Sequence, residues 1–186
     1  MKRKPICCFV GEKPQKFPWG YDEKWPDCIR LKEKLAFEIE TMRQKGVKSF
    51  MSNMAMGVEL WAAEIVVSLK QDYPHGEIKL YAAIPFEGQA NRWSPDFRER
   101  YYNVLTKADE ETVLQAHYTK GCICACSRYM VENSTHMIAV CNGGEAGSTK
   151  YSVEYAVSRG LEVVVINPKD VSCYEMPRLR NFKLIK

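Results

Sequence analysis

SNMAMGVE, residues 52–59, lies between an apolar run at residues 47–51 and a helical pattern that begins at Val58. A second stretch of this kind, NGGEAGST at residues 142–149, follows the apolar run at residues 137–141 and precedes another helical pattern. A strand, a turn of small residues and a helix together present backbone N–H groups at a helix N-terminus, where they bind phosphate or another anion. Two such segments in one chain predict a nucleotide-type ligand.

Strand-like and helix-like segments alternate along most of the chain. We predict strands at residues 4–10, 47–51, 78–84, 112–115, 137–141 and 161–166, and helices at residues 28–45, 58–71, 96–107, 127–133 and 150–159. Strands separated by helices are joined by right-handed crossovers and form a parallel sheet with both faces covered. The expected fold is α/β: a Rossmann-like, three-layer fold with a mainly parallel sheet of about six strands. Residues 1–168 form the predicted domain, and residues 169–186 form a C-terminal tail whose order the sequence leaves undecided.

Composition limits the classes of partner. The chain has 186 residues, 46% of them hydrophobic, and a formal net charge of +4 without a long basic run. This balance is ordinary for a globular domain and gives little electrostatic support for nucleic acid as the main partner. No run approaches the roughly 18 apolar residues of a membrane span, and the apolar stretch near the N-terminus is too short for a signal peptide. We therefore expect a cytoplasmic protein with no membrane contact.

The eight cysteines need a separate explanation. Three of them occupy alternate positions in CICAC at residues 122–126, a pattern that could bind a soft metal ion. Structural zinc sites pair two cysteine knuckles, and the sequence offers no matching second pair. We expect a loop with free thiols at this place, and neither a metal nor a cofactor in the protein.

Ligands of an open parallel sheet bind where the loops after its strands converge, at the carboxyl edge. In this chain those loops follow residues 10, 51, 84, 115, 141 and 166, and they hold many of the glycines. The topology alone therefore predicts that both glycine-bearing segments face one ligand.

The stretch SNMAMGVELWAAE, residues 52–64, resembles the pattern S-G-M-A-L-G-V-D-x-W-A-A-E of the YpsA-like proteins, bacterial members of the SLOG superfamily. PQKFPWGY at residues 14–21, RYMV at residues 128–131 and the loop at residues 143–149 follow in the order expected of that family. The resemblance spans residues 4–168. The superfamily also contains the DNA-processing protein DprA and the cytokinin-activating LOG phosphoribohydrolases, so the resemblance implies a Rossmann-like fold and a nucleotide or nucleotide-derived ligand.

Several residues depart from the family pattern and alter the expected phosphate pocket in detail. Glu12 and Lys13 stand where the family has a His-Arg pair. The family's arginine can hold a phosphate with two hydrogen bonds, whereas Lys13 offers a single positive charge and the Glu12 carboxylate repels phosphate. Asn53 stands for a glycine, Glu59 for an aspartate, and GST at residues 147–149 for G-G-T. Topology and resemblance together give the candidate ligand-binding and phosphate-binding residues: Gly11, Lys13, Ser52, Asn53, Gly57, Glu59, Gln89, Arg128, Gly143, Gly144, Gly147, Ser148 and Thr149.

The sequence pattern of the LOG enzymes bears on whether this chain is a catalyst. That pattern is R-K-x-x-M followed by P-G-G-x-G-T-x-x-E. Arg128 matches the arginine, but Ser152 stands where the acid is expected three residues after Thr149. Serine cannot exchange a proton near neutral pH as glutamate does. The catalytic residues are thus unknown, with Arg128 and Glu59 as candidates, and the sequence favours a protein that is not an enzyme.

Each candidate also has a structural interpretation that the sequence leaves open. The glycines of residues 143–147 could form only a tight turn, Glu59 could cap its helix, Arg128 could pair with a surface acid, and Gln89 could belong to a self-packed lid. We favour a domain that senses or sequesters a nucleotide-derived small molecule, which leaves a homo-oligomer and a protein partner open. The alternative is a phosphoribohydrolase-like enzyme that cleaves the N-glycosidic bond of nucleoside monophosphates. Single-stranded DNA binding, as in DprA, has less support because the net charge is small.

Overall fold

The computed structural model describes residues 4–75, 77–142 and 147–176. Its centre is a sheet of seven strands in the order β4-β3-β2-β1-β5-β6-β7. Neighbouring strands are parallel except for β7, which is antiparallel to β6. The strands are β1 (Ile6–Gly11), β2 (Ser49–Ser52), β3 (Lys79–Ile84), β4 (Glu110–Val113), β5 (His136–Val140), β6 (Glu162–Ile166) and β7 (Cys173–Glu175). The predicted Rossmann-like α/β fold is confirmed.

Helices cover both faces of the sheet and complete the three layers. They are α1 (Pro26–Gln44), α2 (Val58–Asp72), α3 (Pro95–Leu105), α4 (Cys122–Glu132) and α5 (Ser148–Ser158), with a short 3-10 helix at Pro14–Lys16. Helices α1, α2 and α3 pack on one face, around Phe9 and Phe50, whose rings stack with centroids 5.9 Å apart. Helices α4 and α5 pack on the other face, around Cys8 and Met137. The central strands β1, β2, β5 and β6 are buried on both sides, which explains their continuous apolar runs, whereas β4 and β7 at the two edges are exposed.

The strand order places a topological switch point beside β1. From β1 the chain moves outward through β2 and β3 to β4, and then crosses back to β5 on the other side of β1. Strands β1 and β5 pair in register from Cys7 with His136 to Gly11 with Val140. Loops that leave neighbouring strands toward opposite faces open a crevice at the carboxyl edge. In this chain that crevice lies after Gly11 and Val140.

Two local predictions differ from the structure, and the structure adds a strand where the sequence left the matter open. The fourth strand is Glu110–Val113 rather than residues 112–115. The expected loop at residues 122–126 is the first part of α4, because Cys122, Cys126 and Met130 recur every four residues and bury one helical face. The undecided tail supplies a seventh strand at Cys173–Glu175, which pairs with the edge of β6.

Within the described ranges, no helix has both the length and the apolar character needed to cross a bilayer.

Candidate functional site

Gly11, the last residue of β1, joins the two glycine-bearing loops. Its N–H donates a hydrogen bond to Oε1 of Glu59, 3.1 Å away, at the start of α2. Its carbonyl oxygen accepts a hydrogen bond from Oγ1 of Thr149, 3.0 Å away, at the start of α5. Residues far apart in the sequence thus meet at one backbone unit. The two loops share one edge of the sheet, as the parallel topology predicts.

Close packing explains the glycines at positions 11 and 57. A Cβ atom on Gly11 would lie 2.3 Å from Cβ of Val58, so only glycine lets α2 approach the end of β1. Gly57 precedes α2 with φ of 100°, a region that L side chains avoid, and a Cβ there would lie 3.0 Å from the Pro14 ring. Both glycines therefore set the position of the α2 N-terminus.

The loop between β2 and α2 is held by side-chain hydrogen bonds. Oγ of Ser52 donates to the carbonyl of Glu59 at 2.8 Å and accepts the N–H of Met54 at 3.0 Å. Oδ1 of Asn53 accepts the N–H of Ala55 at 3.0 Å, which forms an Asx turn. Nε2 of Gln89 donates to the Asn53 carbonyl at 2.9 Å. Ser52, Asn53 and Gln89 thus make the rigid support of the loop.

Glu59 is a buried acid at this edge. Only 8% of the residue is exposed. Burial raises the pKa of its carboxyl group from 4.5 to about 8, against the smaller lowering effect of hydrogen bonds from its own N–H and from Gly11. Glu12 raises this pKa further and Lys13 lowers it. The Glu59 side chain is therefore largely a neutral carboxylic acid at pH 7, able to donate a hydrogen bond.

A small hollow, the edge cleft, opens between the start of α2, α4 and the start of α5, with a volume of about 70 Å³. Its lining consists of Val10, Gly11, Lys13, Asn53, Ala55, Met56, Glu59, Ile123, Cys124, Ser127, Ser148, Thr149 and Ser152. The first N–H groups of an α-helix have no partner within the helix, and they carry the positive end of its dipole. Gly147 caps α5 without a side chain. The edge cleft is therefore suited to a small anion such as phosphate.

Other candidates take different positions. Arg128 lies on the exposed surface of α4 and does not line the edge cleft; its guanidinium donates to the Tyr151 hydroxyl at 2.6 Å and lies over the Tyr151 ring. Its role in ligand binding stays a prediction. Gly147 has extended backbone, and a Cβ atom there would lie 3.4 Å from Nζ of Lys16. Gly143 and Gly144 lie outside the described residues.

A larger hollow, the Trp19 cavity, lies on the other side of the segment after β1, with a volume of about 370 Å³. It is lined by Glu12, Lys16, Phe17, Pro18, Trp19, Asp27, Asn142, Pro168 and Lys169. Sequence reasoning missed this cavity because most of its wall comes from the proline-rich segment before α1, which has no regular pattern. The signal that was present is FPWG at residues 17–20, inside one of the stretches that carries the family resemblance.

The thiols do not assemble into a metal site. Over residues 4–75, 77–142 and 147–176, no group of three or more His, Cys, Asp or Glu side chains is arranged to hold a metal ion. On α4, Cys122 and Cys126 are buried whereas Cys124 is exposed and lines the edge cleft. Burial raises the pKa of Cys126 to about 12, so this thiol stays protonated.

Comparisons with known proteins agree with this architecture. The family model YpsA, described as the YspA SLOG family, matches residues 7–170. A UPF0398 protein of Halalkalibacterium halodurans is 31% identical over 146 residues, which cover 74% of this chain and 76% of the relative. A UPF0398 protein of Bacillus cereus strain G9842 is 31% identical over 158 residues, which cover 83% of this chain and 84% of the relative.

Two solved structures share the fold at low sequence identity. The X-ray structure of TM1055 superposes with a TM-score of 0.51 and 14% identity, covering 90% of this chain and 76% of its own. DNA processing protein A of Helicobacter pylori, studied for its binding of single-stranded DNA, superposes with a TM-score of 0.56 and 14% identity. That match covers 88% of this chain and 65% of the other. At this identity the likeness concerns the fold alone.

Proposed function

Because the chain belongs to the YspA SLOG family, we propose that it binds a nucleotide-derived ligand through the ligand's phosphate at the edge cleft, as a sensing or sequestering domain. The observation that carries this proposal is the pair of hydrogen bonds at Gly11, which brings the N-termini of α2 and α5 to one place. That place is the switch point of the sheet, where ligands of open α/β folds bind.

The chemistry of the edge cleft supports an anionic ligand. The first turn of α5 supplies backbone N–H groups and the hydroxyl group of Ser148, and Lys13 supplies a positive charge. Glu59 would repel an anion if it were ionised, but its raised pKa keeps the carboxyl neutral at pH 7. A neutral Glu59 can donate a hydrogen bond to a phosphate oxygen. The small volume of the cleft suits a phosphate group better than a whole nucleotide.

Gly147→Val tests the proposal. The extended backbone at Gly147 accepts any side chain, so the variant should fold, while its isopropyl group covers the approach to the N–H groups of α5. We expect at least a tenfold loss of affinity, measured by calorimetry with AMP, GMP, CMP, ADP-ribose and cyclic nucleotides. Ser158→Val, at the other end of α5, is the matched control and should bind as the wild type does. Equal affinities for the Gly147 variant and the wild type would remove the phosphate role from this helix.

One observation favours a second candidate, hydrolysis of the N-glycosidic bond. A buried carboxylic acid that stays protonated near neutral pH is the type of group that can protonate a departing base, and Glu59 lines the edge cleft. Two contacts weigh against it. Gly11 holds one oxygen of Glu59, and Ser152, at the position where the acid is expected, donates its hydroxyl hydrogen to the Ser148 carbonyl at 2.9 Å. Binding without turnover therefore remains the first proposal.

A further inference from the structure

The CICAC stretch places one of its three thiols in the wall of the edge cleft. All eight cysteines lie in the described part of the chain, and of these only Cys124 and Cys173 are exposed. Cys122 and Cys126 are about one turn apart and bury the inner face of α4. Cys124 lies between them, more than half a turn round the helix, and lines the edge cleft together with Ser148 of α5. The alternation of thiols therefore separates one accessible position from two buried ones.

Glu59 marks the edge cleft as a built site and not as ordinary surface. Its side chain lines the cleft although only 8% of the residue is exposed. Within the described ranges, Gly11 is the only other residue that hydrogen-bonds to this side chain. Buried polar groups are normally satisfied, so the remaining hydrogen-bonding capacity of Glu59 indicates a place for a ligand. Because the raised pKa of about 8 keeps this acid largely neutral at pH 7, it adds little negative charge beside Cys124.

The surroundings of Cys124 are electropositive. Cys124 lies in the first turn of α4, which Gly121 caps and which contains no acidic residue. The first turn of α5, on the same cleft, also contains no acidic residue, so both helices present the positive ends of their dipoles. Arg128, one turn later on α4, lies within electrostatic range of the Cys124 thiol, and Lys13 lines the cleft. Partly exposed cysteines in electropositive surroundings are the ones that react.

The other exposed thiol has acidic surroundings. Cys173 begins β7, and its thiol interacts with the buried carboxyl group of Glu38. Burial raises the pKa of Cys173, and the hydrogen bond with Glu38 and the charge of Glu175 raise it further, against the smaller opposing effect of Lys34. An anionic reagent is therefore attracted to Cys124 and repelled at Cys173. The chain thus contains its own control for the effect of charge on thiol reactivity.

We propose that Cys124 is a site of reversible thiol modification, at which a low-molecular-weight disulfide that carries carboxylates forms a mixed disulfide and closes the edge cleft to phosphate. The Cys124 sulfur attacks one sulfur of the disulfide, a new S–S bond forms as the old one breaks, and the departing thiolate takes up the proton that Cys124 loses. Cys124 is oxidised and one half of the reagent is reduced to a thiol. The closing role rests on the proposed function, whereas the modification itself does not.

Size explains why such an adduct would exclude phosphate. The edge cleft has a volume of about 70 Å³, so a thiol as large as a tripeptide cannot fit inside and must lie across its mouth. The carboxylates of that thiol are attracted to the same helix N-termini that would hold the phosphate. The adduct and the phosphate therefore compete for one set of donors.

Glutathione disulfide is the probe, and the full-length chain is the substrate. Reactions at pH 7 are stopped with acid at intervals, and mass spectrometry of tryptic peptides measures the adduct at Cys124 and at Cys173. Calorimetry measures the affinity for AMP before treatment, after treatment and after dithiothreitol. Cys124→Ser and Cys173→Ser are treated in the same way. Circular dichroism verifies that each treated protein is folded.

We expect Cys124 to react at least about tenfold faster than Cys173, a ratio that should fall at high salt. Saturating AMP should slow the reaction of Cys124 and leave that of Cys173 unchanged. The treated wild type and treated Cys173→Ser should no longer bind AMP, and dithiothreitol should restore binding. Cys124→Ser should keep through the treatment whatever affinity it had before.

The two halves of the proposal can fail separately. Equal rates at the two cysteines, or a faster reaction at Cys173, would overturn the assignment of Cys124 as the modification site. A folded protein that carries the adduct on Cys124 and binds AMP with unchanged affinity would overturn the closing role and leave the proposed function intact. Failure of the wild type to bind AMP, GMP or CMP would overturn the proposed function and the closing role, while the two rates would still decide the modification.

Discussion

Glu59→Gln is the perturbation for which the structure gives the clearest magnitude. The wild-type carboxyl group is buried, and its pKa rises from 4.5 to about 8 on folding. The folded protein therefore holds a proton at Glu59 that the unfolded chain releases between these two pH values. Linkage then requires that stability is fully present below pH 4.5 and is lost as the pH rises through about 8.

The size of the effect follows from 1.36 kcal/mol per pKa unit. Between pH 5 and pH 9 this one group should lower the free energy of unfolding by about 4 kcal/mol. Glutamine has nearly the same shape, its carbonyl oxygen can accept the Gly11 N–H, and it does not ionise. The stability of Glu59→Gln relative to the wild type should therefore increase by about 4 kcal/mol over the same interval.

Urea unfolding followed by circular dichroism at each pH measures both free energies. Subtracting one profile from the other cancels every group that titrates equally in the two proteins. Parallel profiles, with a constant difference from pH 5 to pH 9, would refute the reasoning, because they would mean that Glu59 ionises in the folded state without penalty. A difference that decreases with pH would contradict the sign.

The remaining predictions concern packing and chemistry. Gly11→Ala places a Cβ atom 2.3 Å from Cβ of Val58, so α2 must shift. We expect the free energy of unfolding, measured in urea, to fall by roughly 1–3 kcal/mol. Ser158→Ala, at an exposed site, should change it little. Overnight incubation with AMP, GMP or CMP, followed by chromatography, should yield little or no free base. Ser152 stands where the LOG-type acid is expected, and a substitute acid such as Glu59 would be displaced from that position. Small misplacements of a reacting group cost large factors in rate. Turnover that disappears in Glu59→Gln would instead identify an enzyme with a relocated acid.

The order of elements could be predicted from the sequence because it depends on local patterns. Continuous apolar runs such as residues 163–166 mark strands buried on both faces, and Gly57 before a helical pattern marks the start of α2. Once strands and helices alternate, right-handed crossovers place all the loops after parallel strands at one edge. The meeting of the two glycine-bearing loops follows from this rule without any contact being known.

Local patterns were insufficient where burial decides the structure. CICAC was expected in a loop with free thiols, yet the burial of Cys122 and Cys126 on one helical face makes it the start of α4. Strand β7 exists because β6 offers an unpaired edge to Cys173–Glu175. The sequence of these three residues does not predict a strand, because the pairing depends on β6.

The fold class and the edge at which the loops converge could be predicted from the sequence, because hydrophobic periodicity and chain topology act over neighbouring residues. Six of the thirteen residues that line the edge cleft, namely Gly11, Lys13, Asn53, Glu59, Ser148 and Thr149, were among the sequence candidates. The raised pKa of Glu59 follows from tertiary packing, because it depends on burial and on the N–H of Gly11, 48 residues away. Only the tertiary structure decided the Trp19 cavity, whose wall joins residues 12–27, Asn142 and residues 168–169. Burial and the hydrogen bonds of buried groups result from which distant segments meet, and that is fixed only when the whole chain has packed.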